Sequence, residues 1–182
     1  MTQLTFVIGY DYEEFRNYYR TLKSLHDYYV ELALPDVIYG DIGPTDEGHI
    51  KEDATHLIVW KENDEIVGHA VWHEHSTENY KNPEAKEALE VLEFLLGDER
   101  DFIELHEVWL REDHRGKGFG VQFFDFFENY IRKRFGRPIL FYTDTPAAVA
   151  LCKMRGYTED WVPFDGEKWH VFYINTEDKQ KT

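Results

Sequence analysis

The sequence predicts a mixed α+β domain, a central sheet of about six to seven strands flanked by helices. Three observations predict it. Short runs rich in β-branched and aromatic residues interchange with longer runs whose apolar residues recur at i, i+3, i+4, in the order β-α, β-β, α, β-α-β-α, β-β. At 182 residues the chain has the length of one domain, so a single domain over 1–182 with a polar tail at 176–182 is expected. Finally, 42% hydrophobic residues, with 13 Phe, 12 Tyr and 5 Trp, suffice for a sizeable core although 31% of the chain is charged.

Residues 4–9 (LTFVIG) read as a short strand. Asp11 and Glu14 form a D-x-x-E capping box, and Phe15, Tyr18, Tyr19, Leu22, Leu25, Tyr29 and Leu32 continue it as a helix from about 12 to 32 that Pro35 stops. Residues 35–53, with three glycines and Pro44 among acids, read as a loop, with or without a short helix. Residues 54–60 and 66–72 flank the polar turn 61–65 as an antiparallel hairpin. Asn82 and Pro83 open a helix with a leucine stripe to Leu96, ended by Gly97. The stripe needs cover, from the domain or from a second copy, which leaves a homodimer open. Residues 102–110 form a strand, 111–120 a charged Gly-rich turn, and 120–135 a helix with Phe123, Phe124, Phe127 and Ile131 on its apolar face. The apolar run 139–143 suits a strand buried on both faces. Thr145 caps and Pro146 begins a short helix to Gly156, and 157–162 with 168–174 form a second hairpin around Asp165-Gly166.

Composition excludes several functions. One cysteine, Cys152, rules out an intrachain disulfide or a Cys-ligated zinc ribbon and favours a reducing compartment. Ser24 and Ser76 are the only serines, and neither lies in G-x-S-x-G. No apolar run approaches 18 residues, and no charged-then-apolar leader opens the chain, so a cytoplasmic protein without a membrane partner is expected. Residues 1–110 carry 8 basic and 25 acidic groups, −17, against 12 and 11 in 111–182, +1. The acidic part repels nucleic acid; its excess serves solubility, or faces a ligand of opposite charge.

The most informative segment is Arg115-Gly116-Lys117-Gly118-Phe119-Gly120, between a strand and a helix. Closely spaced glycines let backbone N–H groups converge, the helix start adds partial positive charge, and Arg115 and Lys117 add whole charges. Seven basic groups against four acidic ones from 111 to 137 make a basic island. A diphosphate cradle is the physical reading, beside a turn that only starts its helix. The spacing fits neither G-x-G-x-x-G nor a P-loop.

Residues 103–157 resemble motifs A and B of the GNAT superfamily of acetyl-CoA-dependent N-acyltransferases. The R/Q-x-x-G-x-G/A signature is met by Arg115, Gly118 and Gly120 after a strand ending in Trp109-Leu110-Arg111, and A-x-x-L-x-x-x-x-G-[FY] by Ala148, Leu151, Gly156 and Tyr157. The resemblance implies a sheet of this fold, acetyl-CoA as cosubstrate with its pyrophosphate on the N–H groups of Arg115 to Gly120, and pantetheine pairing like a strand with Val108, Trp109 and Leu110. It puts Thr145 where the family often has Asn at the cofactor, and Cys152 where it often has the Tyr that protonates the departing thiolate.

Acetyl transfer needs a neutral amine, hence a base, and a donor for the oxyanion, which a backbone N–H near Leu110 would supply. By strict alternation Glu104, His106 and Val108 share one face of strand 102–110, and Leu105, Glu107 and Trp109 the other. His106, at the position where similar family members carry a Glu or His base, is the candidate base; Glu104, its orienter or water relay, and Glu107 are further candidates, with structural histidine and ion pair as the plain alternatives. Cys152 is either a donor to the thiolate or a small core filler. His69, His73 and His75 share parity, and two ligands at i, i+2 can grip a metal, but no third is specified and none is expected. The expected function is transfer of acetyl from acetyl-CoA to a primary amine, small or peptidic and cationic by the charge split. A silent CoA-binding module and a metal-binding β protein are the rivals.

Overall fold

The strands β1 (Thr5–Ile8), β2 (Thr55–Glu62), β3 (Glu65–Ser76), β4 (Asp101–Leu110), β5 (Ile139–Thr143), β6 (Thr158–Phe164) and β7 (Glu167–Ile174) form one sheet in the order β1-β2-β3-β4-β5-β7-β6. This is a computed structural model, and it describes residues 2–8, 55–80, 86–164 and 166–177. The expected helix 12–32, the loop 35–53 and the Asn82-Pro83 helix start lie outside the described residues. Every neighbouring pair is antiparallel except β4 and β5. A parallel pair needs a crossover, and helix α2 (Phe119–Arg134) supplies it. Helix α1 (Lys86–Leu96) precedes β4, and helix α3 (Pro146–Met154) follows β5.

The helix stripes decide the layers. Phe119, Phe123, Phe124, Phe127 and Ile131 of α2 are buried against Trp60, Trp72, Ile103, Leu105, Phe141 and Phe172, and α3 joins this face through Cys152, Ala148 and Leu151. The opposite face receives α1: Leu92 and Leu96 pack with Phe102, Leu140, Val162 and Val171. The domain itself therefore covers the leucine stripe of α1, although Phe94 stays 78% exposed. Among the described residues no helix is long and apolar enough to cross a membrane.

Strand β3 runs four residues past its expected end. β4 provides partners as far as Ser76 opposite Asp101, so His73 and His75 lie within the sheet, not at a solvated strand end. A 3-10 turn, Thr77–Tyr80, follows. The ladder between β3 and β4 is broken at one point. Val71 pairs with Glu107 and Trp72 with Leu105, so His106 is an extra residue bulged out of β4.

Candidate functional site

Strand β4 leaves β5 halfway. The parallel pairing covers only Ile103–Leu105 against Ile139–Phe141, whereas β4 stays paired with β3 up to Leu110 opposite Gly68. A gap therefore opens beside residues 106–110. Arg111 N–H donates to Val67 C=O at 2.8 Å, which makes the adjacent Gly68–Leu110 pair one whose backbone groups point away from each other. Alternation then assigns the N–H and C=O of Val108 and Leu110 to the gap side, and those of Trp109 to β3. The Leu110 C=O accepts from Arg115 Nε at 2.9 Å. Of the expected strand-like contacts, Val108 and Leu110 present backbone; Trp109 does not, and its ring stacks instead on His69, 6.0 Å between centroids.

The turn that follows borders this gap. Gly116 has φ +75°, and Gly118, the N-cap of α2, has φ +83°, a left-handed conformation that side chains with a Cβ rarely adopt. The first bond of α2 runs from Gln122 N–H to Gly118 C=O at 3.2 Å, which leaves the N–H groups of Phe119, Gly120 and Val121 without an intrahelical acceptor. Among the described residues a Cβ on Gly116 would meet nothing within 4 Å. These features fit a diphosphate. Gly120 serves packing: a Cβ there would lie 3.0 Å from Leu151 Cδ2, where α2 approaches α3.

The basic island is smaller than the sequence suggests. Arg111 pairs with Glu65 and with Asp113 at 2.7 Å, Asp113 contacts His114 at 2.7 Å, and His114 reaches Glu62 at 3.6 Å. His114 and Arg111, in that order, hold the Asp113 carboxyl down to about 2. Arg111 is thus a latch between the turn and the β2–β3 hairpin rather than a phosphate ligand. Arg132, Lys133, Arg134 and Arg137 lie at or beyond the far end of α2, 16 residues and about 24 Å long. That leaves Arg115 and Lys117, both exposed, to meet an anion.

The bulge also redraws the faces of β4. Strict alternation puts Val108 with Glu104 and His106, and Glu107 with Leu105. In the structure Ile103, Leu105, Val108 and Leu110 all face α2. Glu104, His106, Glu107 and Trp109 share the other face, because one extra residue at 106 shifts the period from there on. Opposite them stand His69, His73 and His75 of β3, so this face is a ladder of titratable groups. His69 Nε2 lies 3.5 Å from Glu107 Oε2, His75 Nε2 3.4 Å from Glu104 Oε2, and His106 Nδ1 3.5 Å from Glu104 Oε1. The rings of His73 and His106 meet edge to face at 5.1 Å. Burial pushes the Glu104 carboxyl up, but the hydrogen bond of His106 and the attraction of the His75, His106 and His73 rings when protonated outweigh it and hold it below its ordinary value. His106 is 40% exposed, at the point where the gap begins, while Glu104 lies behind it at 16%.

Two further expected residues lie on and before α3. Cys152 is fully buried among the side chains of the α2 face, and burial pushes its thiol up to about 12, the surroundings of a core filler. Thr145 holds the N-cap position of α3, exposed at the end of β5, but its side chain makes no capping bond; its N–H instead donates to Thr143 Oγ1 at 3.2 Å. The His69–His75 run forms carboxylate pairs, and among the described residues no group of three His, Cys, Asp or Glu is placed to hold a metal. What sequence reasoning missed is the role of His75 beside Glu104; a histidine two residues from another on an apolar strand signals the parity, but only the register of β3 on β4 supplies the partner.

A family model for the acetyltransferase (GNAT) family matches residues 12–157. Solved structures share the architecture. One, described as a GNAT-family protein from Desulfovibrio desulfuricans, aligns with a TM-score of 0.57 at 12% identity over 96% of this chain and 100% of its own. An Arabidopsis thaliana protein in complex with a bisubstrate analogue gives 0.56 at 9% identity, over 94% and 96%. A GNAT-family acetyltransferase from Elizabethkingia anophelis with acetyl-CoA bound gives 0.51 at 12%, over 96% and 99%. At these identities the likeness is one of fold. No curated protein matches the sequence.

Proposed function

Because the chain belongs to the acetyltransferase (GNAT) family, we propose that it moves the acetyl group of acetyl-CoA onto a cationic primary amine by direct attack in a ternary complex. One observation carries the reading: the backbone of Val108 and Leu110 opens into the β4–β5 gap beside the Arg115–Gly120 turn. An extended pantetheine arm pairs with such an edge as a strand would. The turn's N–H groups, with Arg115 and Lys117, hold the diphosphate. His106 takes the ammonium proton of the acceptor, and Glu104 stabilises the charge His106 gains. A gap-facing N–H of Val108 or Leu110 donates to the oxyanion. Water protonates the leaving thiolate, since burial makes the Cys152 thiol a weak acid.

The −17 on residues 1–110 supports a cationic acceptor, because such a field concentrates cations. The same carboxylates raise an amine's pKa, which makes a base necessary rather than optional. The second reading, a silent CoA-binding module, draws on the burial of Cys152 at the place of the family's usual acid. Calorimetry with acetyl-CoA and a CoA-thiol release assay over an amine panel decide. Binding with release that favours cationic amines and weakens with salt is expected. Binding without release for any amine selects the silent module, and absence of binding removes both. Release that favours anionic acceptors, indifferent to salt, would return the acidic half to solubility.

A further inference from the structure

The tautomer of His75 is fixed by backbone. The N–H of Ser76 donates to His75 Nδ1 at 3.1 Å, so that nitrogen carries a lone pair and the neutral ring holds its proton on Nε2. Nε2 is the atom 3.4 Å from Glu104 Oε2. The ring cannot turn away, because it is stacked on Phe102 at 5.3 Å, 8° between planes, and on Tyr80 at 5.0 Å. The other oxygen of the same carboxylate lies 3.5 Å from His106 Nδ1. From this geometry we infer that His75 is a positioning residue: it clamps Glu104 Oε2 so that Oε1 faces His106 Nδ1, which keeps the proton of neutral His106 on Nδ1 and makes Nε2 the basic nitrogen of the ring. Both contacts are long for hydrogen bonds, as catalytic hydrogen bonds often are in the absence of substrate.

The inference rests on the acetyl-transfer reading for the use of His106, but not for the arrangement. Among the described residues the groups facing Glu104 are His73 and His75 from β3, His106 from β4, and Tyr142 of β5, which shares a hydrogen bond with Tyr80 of the 3-10 turn. His73 and Tyr142 therefore stay in place in the variants used. Two ideas about His75 differ in sign. As a neutral clamp, His75 raises the basicity of His106 through Glu104, and its loss lowers the His106 midpoint. As one more positive charge in the cluster, it depresses that midpoint, and its loss raises it.

The experiment is an NMR titration of the His106 ring nitrogens in the full chain, for the native protein, His75→Leu and His75→Gln. His75→Leu is expected to lower the His106 midpoint by about half a unit and to weaken the Nδ1–H tautomer signature. His75→Gln, which keeps an N–H donor, is expected to restore most of both. Acetyl-CoA affinity, by calorimetry, stays within about twofold for both variants and reports that each is folded. A rise in the midpoint, an unchanged midpoint in a folded His75→Leu, or a glutamine that behaves as leucine does overturns the inference. If His75→Leu does not fold, the same titration on His75→Gln against Glu104→Gln decides: equal loss in both overturns it, and loss only in the second supports it. None of these readouts needs turnover. A protein that acetylates no amine would refute the function and still answer for His75.

Discussion

The two halves of β4 have different duties. Ile103–Leu105 is held from both sides, by β3 and β5, and the side chains of Ile103 and Leu105 are fully buried. From His106 to Leu110 the strand pairs, among the described residues, with β3 alone, and the core contacts of Val108 and Leu110 are partial. The first half is a fixed rail. The second half is a rail with one side left open, kept straight by β3 and by the Arg111 latch at its end. A free edge on an ordinary strand invites unwanted pairing. Here the edge is short, lies inside the sheet, and ends at a turn rich in N–H groups.

Removing side chains from the two halves should break the comparison most strongly. Leu105→Ala, in the closed half, is expected to cost about 2–5 kcal/mol in denaturant unfolding, whereas Leu110→Ala should cost about 1 kcal/mol because its burial is incomplete. Equal losses would mean that the open half is as much core as the closed one. Next comes the turn. Gly118→Asp places a like charge and a Cβ at a φ of +83°, and acetyl-CoA affinity should fall about 100-fold, about 2.7 kcal/mol, for about 1–2 kcal/mol of fold stability. An unchanged calorimetric affinity would detach the turn from the ligand.

A pair of prolines sharpens the contrast within the open half. Val108 directs its N–H into the gap and Trp109 into the β3 ladder. Val108→Pro is therefore expected to weaken acetyl-CoA binding about tenfold, while Trp109→Pro costs about 1 kcal/mol more in stability by deleting a ladder bond. The reverse order would show that the backbone alternates the other way. The smallest effect is on acid stability. The folded Glu104 carboxyl is held below its ordinary 4.5, so its contribution is present above that pH and is lost as pH falls through the folded value. Glu104→Gln should make the low-pH limb of the melting curve shallower. A limb as steep as the native one would assign acid unfolding to other groups, His56 among them, whose burial lowers its pKa and works in the same direction.

Periodicity exposes most of the fold. The apolar stripe of α2 has the spacing that the structure buries, and all seven strands fall where β-branched and aromatic runs occur. The turn from Arg115 to Gly120 is legible because glycine has few other reasons to recur there. The bulge is not legible, since it is a mismatch between two strands and belongs to neither alone. With the bulge hidden, alternation puts Glu107 and Val108 on each other's faces. The count of basic groups from 111 to 137 overstates the island for a related reason: Glu65, which claims Arg111, stands 46 positions earlier, in a hairpin turn that looks merely polar. Cys152 occupies a motif position, and a motif states where a residue stands in the chain but not whether solvent reaches it.

The surplus residue at 106 has a consequence for how such a strand tolerates change of length. Remove His106 from the sequence, and Ile103, Leu105, Val108 and Leu110 fall into unbroken alternation, with Glu104, Glu107 and Trp109 on the reverse side. Every other side chain of β4 keeps the face it now has. A one-residue deletion inside a central strand ordinarily turns the remainder of that strand inside out. In this strand it would be silent for the core, and the histidine at the mouth of the gap is the only member of β4 that the sheet has no place for.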